Sequence, residues 1–361
     1  MNYMPEMTPA RVVENGEFPF AATAFDHGHI YGQVQGLANA GGTLAAVYEP
    51  RTEKLGPLKD LLREHKTKIV SSLEELVSIP GLKVVTAAAI PDERCALGLK
   101  VMAAGIDYLT DKAPFTTLDQ LASAREAVLR TGRKYAVCYS ERLCNESAWH
   151  AGELIAGGAI GKVIQILNLA PHNLAASTRP EWFFQKSRYG GILTDIGSHQ
   201  FEQFLTYGAA TDGTVRDARA ENLGNPDHPG LEDFGEATLS LDTGASAYCR
   251  MDWFNPAASR TWGDGRTFVL GTTGYLEVRK YIDVCRPDST GDRIFLVNAG
   301  EEVEIPCAGR IGFPFFGRFL LDVLNRTEKA MTQAHAFKAA ELSMLAQAHA
   351  DSQPKTPPKT P

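Results

Sequence analysis

The sequence predicts an α/β fold in two parts: an amino-terminal half that alternates strand and helix around a parallel sheet, and a carboxyl-terminal half with a large, mainly antiparallel open sheet. Three observations carry this. Short apolar runs alternate with helix-period segments from 18 to about 139, and strand pairs joined by tight turns recur from Thr214 onward. The length, 361 residues, is enough for about two domains, each with its own core. The expected divisions are a flexible leader at 1–17, the alternating domain at 18–140, the second domain at 141–350 and a disordered tail at 351–361, rich in Pro, Lys and Thr.

Composition narrows the function classes. With 44% apolar and 22% charged residues the chain has the make-up of an ordinary soluble protein, and its net charge of -7 argues against a nucleic-acid partner. No apolar run reaches the roughly 18 residues of a membrane helix, and the segment from Met1 to Phe18 lacks a charged-then-apolar signal pattern. No membrane association and a cytoplasmic location are therefore expected. The six cysteines are scattered, with no metal-ligand spacing, and read as reduced packing residues.

The first strand, 18–25, is followed by helical periodicity at 28–39 and by a second strand, 43–48, that ends on Glu49. Strand, turn, helix, strand and terminal acid within about 30 residues outline a Rossmann dinucleotide-binding unit. In such a unit the diphosphate rests on the helix amino terminus and the acid accepts hydrogen bonds from the adenine ribose. The glycine fingerprint is damaged, because its pattern places glycines where this chain has Ala24 and Asp26, with Gly28 and Gly32 nearby. Asp26 would repel a diphosphate, so its expected role is to cap the helix, with Gly28 and the amides after it facing the phosphates. His27 and His29 are expected to hydrogen-bond phosphate or substrate. They have no third ligand in sight along the chain, so no metal is expected. Glu49 fits ribose recognition or a solvated strand end, whereas Arg51 could accept a 2′-phosphate, which leaves NAD and NADP both open.

Alternation continues through helices at 52–65 and 72–78 around a strand at 68–70, a buried strand at 83–89, a helix at 92–104 and a strand at 106–109. A helix at 117–130 and a strand at 134–139 complete a six-stranded unit. Asp111-Lys112-Ala113-Pro114 falls at the carboxyl end of its strand, the edge where ligands of open parallel sheets collect. An ammonium there could position an alcohol and hold charge on its oxygen. The plain alternative is a solvated strand-end lysine.

Beyond 140 the pattern changes to a helix at 145–156, a strand at 162–169 and a long loop carrying His172 and Trp182. That loop runs into Ile192, Leu193, Ile196, Phe201, Phe204 and Leu205, mostly at helical spacing, which leaves Asp195, His199 and Glu202 as a polar face. Residues four apart share a face, so Asp195 and His199 point into the same space, and a carboxylate beside an imidazole can move a proton. Gly197, on the apolar side, is expected to let a neighbouring backbone approach. Hairpins are expected at 237–254, 267–280 and 294–305, and helices at 316–324 and 336–349 either close the second domain or pack back on the first.

The run from Gly190 to His199, GGxxxDxGxH, resembles the active-site helix of the glucose-fructose oxidoreductase, inositol dehydrogenase and rhizopine-catabolism (Gfo/Idh/MocA) family. Asp111-Lys112-Ala113-Pro114 resembles that family's Glu-Lys-Pro motif, with Asp for Glu and the proline displaced by one residue. The resemblance covers about residues 18–350. It implies NAD(P)-dependent hydride transfer at a carbinol carbon of a sugar, polyol or sugar acid. Lys112 would lie beside the nicotinamide and hold the reacting oxygen, His199 would be the base, and Asp195 would bind a neighbouring hydroxyl or orient the imidazole. Asp26, His27, Gly28, His29, Glu49, Arg51 and Lys112 are then the expected cofactor contacts. His172 and Trp182 are the expected substrate contacts, Trp182 by stacking on a sugar ring unless it is a packing anchor. A homo-oligomer, dimer or tetramer, built on the open sheet is implied too. Two other readings stay open: a glycosidase or lyase that oxidises its substrate transiently, and a non-catalytic sensor of sugar or nucleotide, which the missing glycines favour.

Overall fold

The computed structural model describes residues 7–286 and 291–354. Among these residues the strands form two sheets, one in each of two compact units. The first sheet joins β1 (Pro19–Phe25), β2 (Thr43–Tyr48), β3 (Lys68–Ile69), β4 (Val84–Ala88), β5 (Asp107–Asp111) and β6 (Tyr135–Cys138) in the order β3-β2-β1-β4-β5-β6. Every pairing in it is parallel. This is the doubly wound order whose chain reverses direction between β1 and β4, which opens a crevice at their carboxyl ends.

The connecting helices follow their end signals. Thr117 caps Leu118–Thr131 by accepting the Gln120 N–H, and Gly132 ends that helix with φ of 63°. The expected single helix at 52–65 is instead a 3₁₀ segment, Thr52–Leu58, followed by the short helix Lys59–Glu64. Pro57, with no N–H to give, lies at the change.

The first position of the glycine fingerprint keeps its conformation without its glycine. Ala24, at the first glycine's place, has φ of 53°, where the register of β1 on β4 shifts. Ala24→Gly is expected to add about 0.5–1 kcal/mol of stability, because relief of a left-handed alanine exceeds glycine's extra chain entropy. A urea titration reads this as a higher midpoint at constant slope, and an unchanged or lower midpoint would contradict it.

The second sheet joins β7 (Val163–Pro171), β8 (Gly213–Glu221), β9 (Phe234–Leu241), β10 (Ser246–Asp252), β11 (Arg266–Gly271), β12 (Gly274–Arg279), β13 (Arg293–Asn298) and β14 (Glu302–Pro306). Its order is β14-β13-β12-β11-β7-β10-β9-β8. The three expected hairpins are β9/β10, β11/β12 and β13/β14, all antiparallel. β7 inserts at the centre, parallel to β10.

The units divide differently from the sequence-based expectation. The first comprises Met1–Trp149 and Ala308–Phe337, and the second His150–Cys307 and Lys338–Pro361. The return of Ala308–Phe337 has specific causes. Glu146 accepts the backbone N–H groups of Gly309, Ile311 and Gly312. Tyr139 donates its hydroxyl to the Ala336 carbonyl at 2.9 Å, and the ring of Phe316 occupies the space that a Cβ on Gly36 would need. These contacts span many residues and leave no local mark in the sequence.

The leader is also more ordered than expected from residue 7 on. Met7 and Val13 are buried, and Val12 N–H donates to Ala40 O at 2.9 Å. At the other end the helix Gln333–Ser352 extends into the expected tail, and the rest of that tail, 355–361, lies outside the described residues, as do 1–6 of the leader. No helix among the described residues is long and apolar enough to cross a membrane.

Candidate active site

In the first unit a cleft of about 470 Å³ opens at the carboxyl ends of β1, β2 and β4, lined among others by Ala24, Asp26, Glu49, Arg51, Asp92 and Leu97. Glu49 sits just past β2 and is buried. Its carboxylate accepts the Phe25 N–H (2.9 Å), the Arg51 N–H (2.9 Å) and two guanidinium N–H groups of Arg51 (2.7 and 3.0 Å). Burial alone would raise its pKa, but these hydrogen bonds outweigh that and hold it below the usual carboxylate range.

Asp26 does not cap the helix. The cap position of His29–Asn39 is Gly28, with no side-chain cap bond, and Asp26 pairs instead with Arg51 at 2.8 Å. The carboxylate is drawn to the guanidinium because Arg51 is already fixed by Glu49, so the repulsion expected toward a diphosphate is compensated locally. A Cβ added to Gly28 would meet nothing within 4 Å, so the turn is open at that point.

Asp111, the last residue of β5 and wholly buried, is a hub. It faces His29 Nδ1 at 2.9 Å, His27 Nδ1 at 3.4 Å and the Arg94 guanidinium at 3.2 Å. An ionised carboxylate can only accept, so His29 Nδ1 carries the proton of that bond. Burial opposes the charge on Asp111, yet His29 and Arg94 together hold its carboxyl far below the ordinary range. Burial, with His29 second, drives the His27 imidazole well below its usual pKa.

Asp111 is the third ligand-type group that was not visible beside His27 and His29 along the chain, since donor atoms of all three lie within 4.8 Å of one another. Arg94 already balances that carboxylate, and the trio reads as a hydrogen-bonded hub.

Arg94 was missed by sequence reasoning. It is 1% exposed and donates to Ala89 O (2.7 Å), Ala113 O (3.0 Å) and Asp111 Oδ2 (3.2 Å). It therefore grips the residues on either side of Lys112, whose own side chain is buried and whose peptide bond to Ala113 is cis. A signal existed: Arg94 shares helical spacing with the buried Gly98, Val101 and Met102, so a cation stood on an apolar face.

In the second unit Gly190 and Gly191, with φ of 87° and 93°, turn the chain into Ile192–Asp195 and then Gly197–Tyr207. Ile196 between them is helical in its torsions, so the expected helix exists with one irregular residue. Its first free N–H groups are taken by Glu232 (Ile192, 3.0 Å) and Gln347 (Leu193, 3.0 Å). Gly191 is required by close approach, since a Cβ there would run into the Gln347 side chain.

A Cβ on Gly197 would meet the Phe201 ring (3.3 Å) and the Met251 sulfur (3.4 Å), with the Ile192 carbonyl oxygen at 3.7 Å, so side chains more than the expected backbone crowd it. The expected polar face is also sealed. His199 is 3% exposed and Asp195 half-buried, while Glu202 is wholly buried and accepts the Thr206 hydroxyl at 2.9 Å. Gln203, one turn after His199, donates to the His199 carbonyl (3.0 Å) and accepts from buried Lys280 (2.8 Å). Neither Gln203 nor Lys280 was singled out in the sequence.

His172 is buried, its Nδ1 3.0 Å from Ala170 O, and its ring lies against Trp262 (4.6 Å) and Trp253 (5.3 Å). Trp182 is half-exposed and packs near Phe183 at 5.9 Å. Trp253 and Trp262, more than eighty residues later, carried no local cue to this role.

The family model described as GFO/IDH/MocA C-terminal domain matches residues 149–277. A crystal structure from Erwinia carotovora atroseptica SCRI1043, of a protein assigned as an oxidoreductase, is 44% identical, with a TM-score of 0.88 over 92% of this chain and 98% of that one. Two more distant structures share the fold. One, an oxidoreductase from Agrobacterium radiobacter in complex with NAD+, L-tartaric acid and magnesium, is 14% identical, with a TM-score of 0.76 over 93% of this chain and 97% of that one. The other, levoglucosan dehydrogenase with NADH and L-sorbose, is 15% identical, with a TM-score of 0.76 over 94% and 97%. No curated protein matches the sequence.

Proposed function

This chain belongs to the Gfo/Idh/MocA family of oxidoreductases, and from that premise we propose that it transfers a hydride between a nicotinamide dinucleotide and a carbinol carbon of a sugar, polyol or sugar acid. The observation that carries the reading is the open cleft at the reversal point of a β3-β2-β1-β4-β5-β6 sheet, with an acid and an arginine just past β2. Its size and its mixed apolar and charged lining fit the adenosine half of a dinucleotide, and Gly28 leaves the turn after β1 open toward phosphates. Asp26, His27, Gly28, His29, Glu49, Arg51 and Lys112 are the residues we assign to its site, whether by contact or by positioning a contacting group. When bound, the nicotinamide supplies the hydride acceptor or donor.

The chain's own groups handle the proton and the oxygen. His199 removes the hydroxyl proton in the oxidising direction and returns it in the other, a task suited to an imidazole whose ordinary pKa is about 6.5. Lys112 donates a hydrogen bond to the reacting oxygen and stabilises negative charge there. Asp195 binds an adjacent hydroxyl or orients the imidazole, and His172 and Trp182 contact the substrate. The substrate class is supported by the sugar-like molecules bound to distant relatives of the same fold. A homo-oligomer belongs to the same proposal, with Leu270 (45% exposed) and Tyr275 (50% exposed) paired across β11 and β12 on the outward face.

The sensor reading loses one of its two supports, because Ala24 keeps the glycine-type torsion. The test is to incubate the protein with NAD or NADP and a panel of sugars, polyols and sugar acids while following absorbance of the reduced nicotinamide. We expect at least one substrate to raise it in proportion to enzyme. Substrate conversion without net reduced cofactor would instead establish transient redox chemistry, and no conversion of any member would count against the proposal.

A further inference from the structure

The cleft past β2 departs from the ribose site that its acid would suggest. We propose that Arg51, in place of Glu49, contacts the adenosine ribose of a bound dinucleotide, with Glu49 and Asp26 as its positioning residues, and that this arrangement selects NAD(H) over NADP(H). The inference rests on the dinucleotide reading above.

Exposure and hydrogen-bond capacity both point this way. The Glu49 side chain is wholly buried, whereas that of Arg51 is 42% exposed on the cleft. Glu49 Oε1 accepts from Arg51 N (2.9 Å) and Nε (2.7 Å), and Oε2 accepts from Phe25 N (2.9 Å) and a terminal guanidinium nitrogen (3.0 Å). A carboxylate offers about four acceptor positions, so all are filled and none is left for a ribose hydroxyl.

The guanidinium is differently placed. Of its five N–H groups, Nε and one on each terminal nitrogen are spent on Glu49 and Asp26, which leaves one on each terminal nitrogen. Held from two sides, that planar fork is already oriented, so little rotamer freedom is lost when a ligand arrives.

Charge then decides which ribose is accepted. Arg51 shares its charge between Glu49 and Asp26, and the cleft is lined further by Asp92 and Glu93 against Lys100. Lys54, which donates to the Phe25 carbonyl at 2.7 Å, is the other cation in this neighbourhood. Carboxylates still outnumber cations, so a 2′-phosphate of about two negative charges meets net repulsion, while a neutral diol meets two N–H donors.

The experiment measures dissociation constants of NADH and NADPH on the full chain without substrate, by quenching of nicotinamide fluorescence. We expect NADH to bind at least about tenfold more tightly than NADPH, and Arg51→Ala to weaken NADH by about tenfold or more. NADPH binding as well as or better than NADH overturns the inference. So does an Arg51→Ala protein that holds NADH as firmly as the parent, because Glu49 would then be the true ribose contact. A thermal melt of the variant separates lost binding from lost fold, and the NADH-to-NADPH ratio of the unaltered chain decides on its own if the variant does not fold. Failure of the unaltered chain to bind either probe removes the dinucleotide reading itself, and this inference with it.

Discussion

His199→Ala is expected to lower kcat by about a hundred- to ten-thousand-fold, the usual worth of a positioned acid/base group, while NADH affinity and thermal stability stay close to those of the parent. The expected selectivity comes from how the residue is built in. Its helix is secured by bonds that alanine keeps: His199 N–H donates to Ile196 O at 3.1 Å, and the Gln203 amide donates to the His199 carbonyl at 3.0 Å. The amino end is held by Glu232 and Gln347 through the backbone N–H groups of Ile192 and Leu193. Removing the ring therefore deletes a proton acceptor without loosening the helix. Turnover of the variant at the parental rate would remove His199 from the mechanism, and a collapse of the melting temperature would show the ring to be structural.

The second large effect is expected at Lys112. Lys112→Met keeps the length of the stem and deletes the ammonium, and should reduce kcat by about a hundred- to a thousand-fold, the loss seen when one donor to a developing oxyanion is removed. The effect should fall mainly on kcat, since the proposed bond strengthens as charge grows on the oxygen. Arg94 makes this a sharp test: it holds Asp111 and Ala113 from a fully buried position, so the backbone at 112 stays in place when the side chain changes. Equal kcat/KM for parent and variant would mean that the ammonium is a bystander, whatever its position.

Much of the architecture was legible because it is periodic. β1, the helix His29–Asn39 and β2 were readable from 18–48 as strand, helix and strand, and the paired runs around Gly244, Thr272 and Gly300 were readable as hairpins. Lys112, Asp195 and His199 were proposed from the resemblance. The partners that hold them were not legible. Arg94 grips the chain around Lys112 from another element, and Gln347 meets Leu193 across 154 residues. The role given to Asp26 changed because capping is a local rule, and a guanidinium from the next strand's end supplied a stronger partner.

Local spacing of apolar and polar side chains determined where most of the strands and helices lie, because those choices are settled over a few residues of backbone. Tertiary structure alone decided that Ala308–Phe337 packs with the first unit, that Asp111 draws His27, His29 and Arg94 together, and that Glu49 is saturated while Arg51 is left facing the cleft. Each of these depends on which buried charge finds its counter-charge, or which ring finds a glycine's empty space. Such pairings are made between groups far apart in the chain, where desolvation and close packing, and not local propensity, choose the partner.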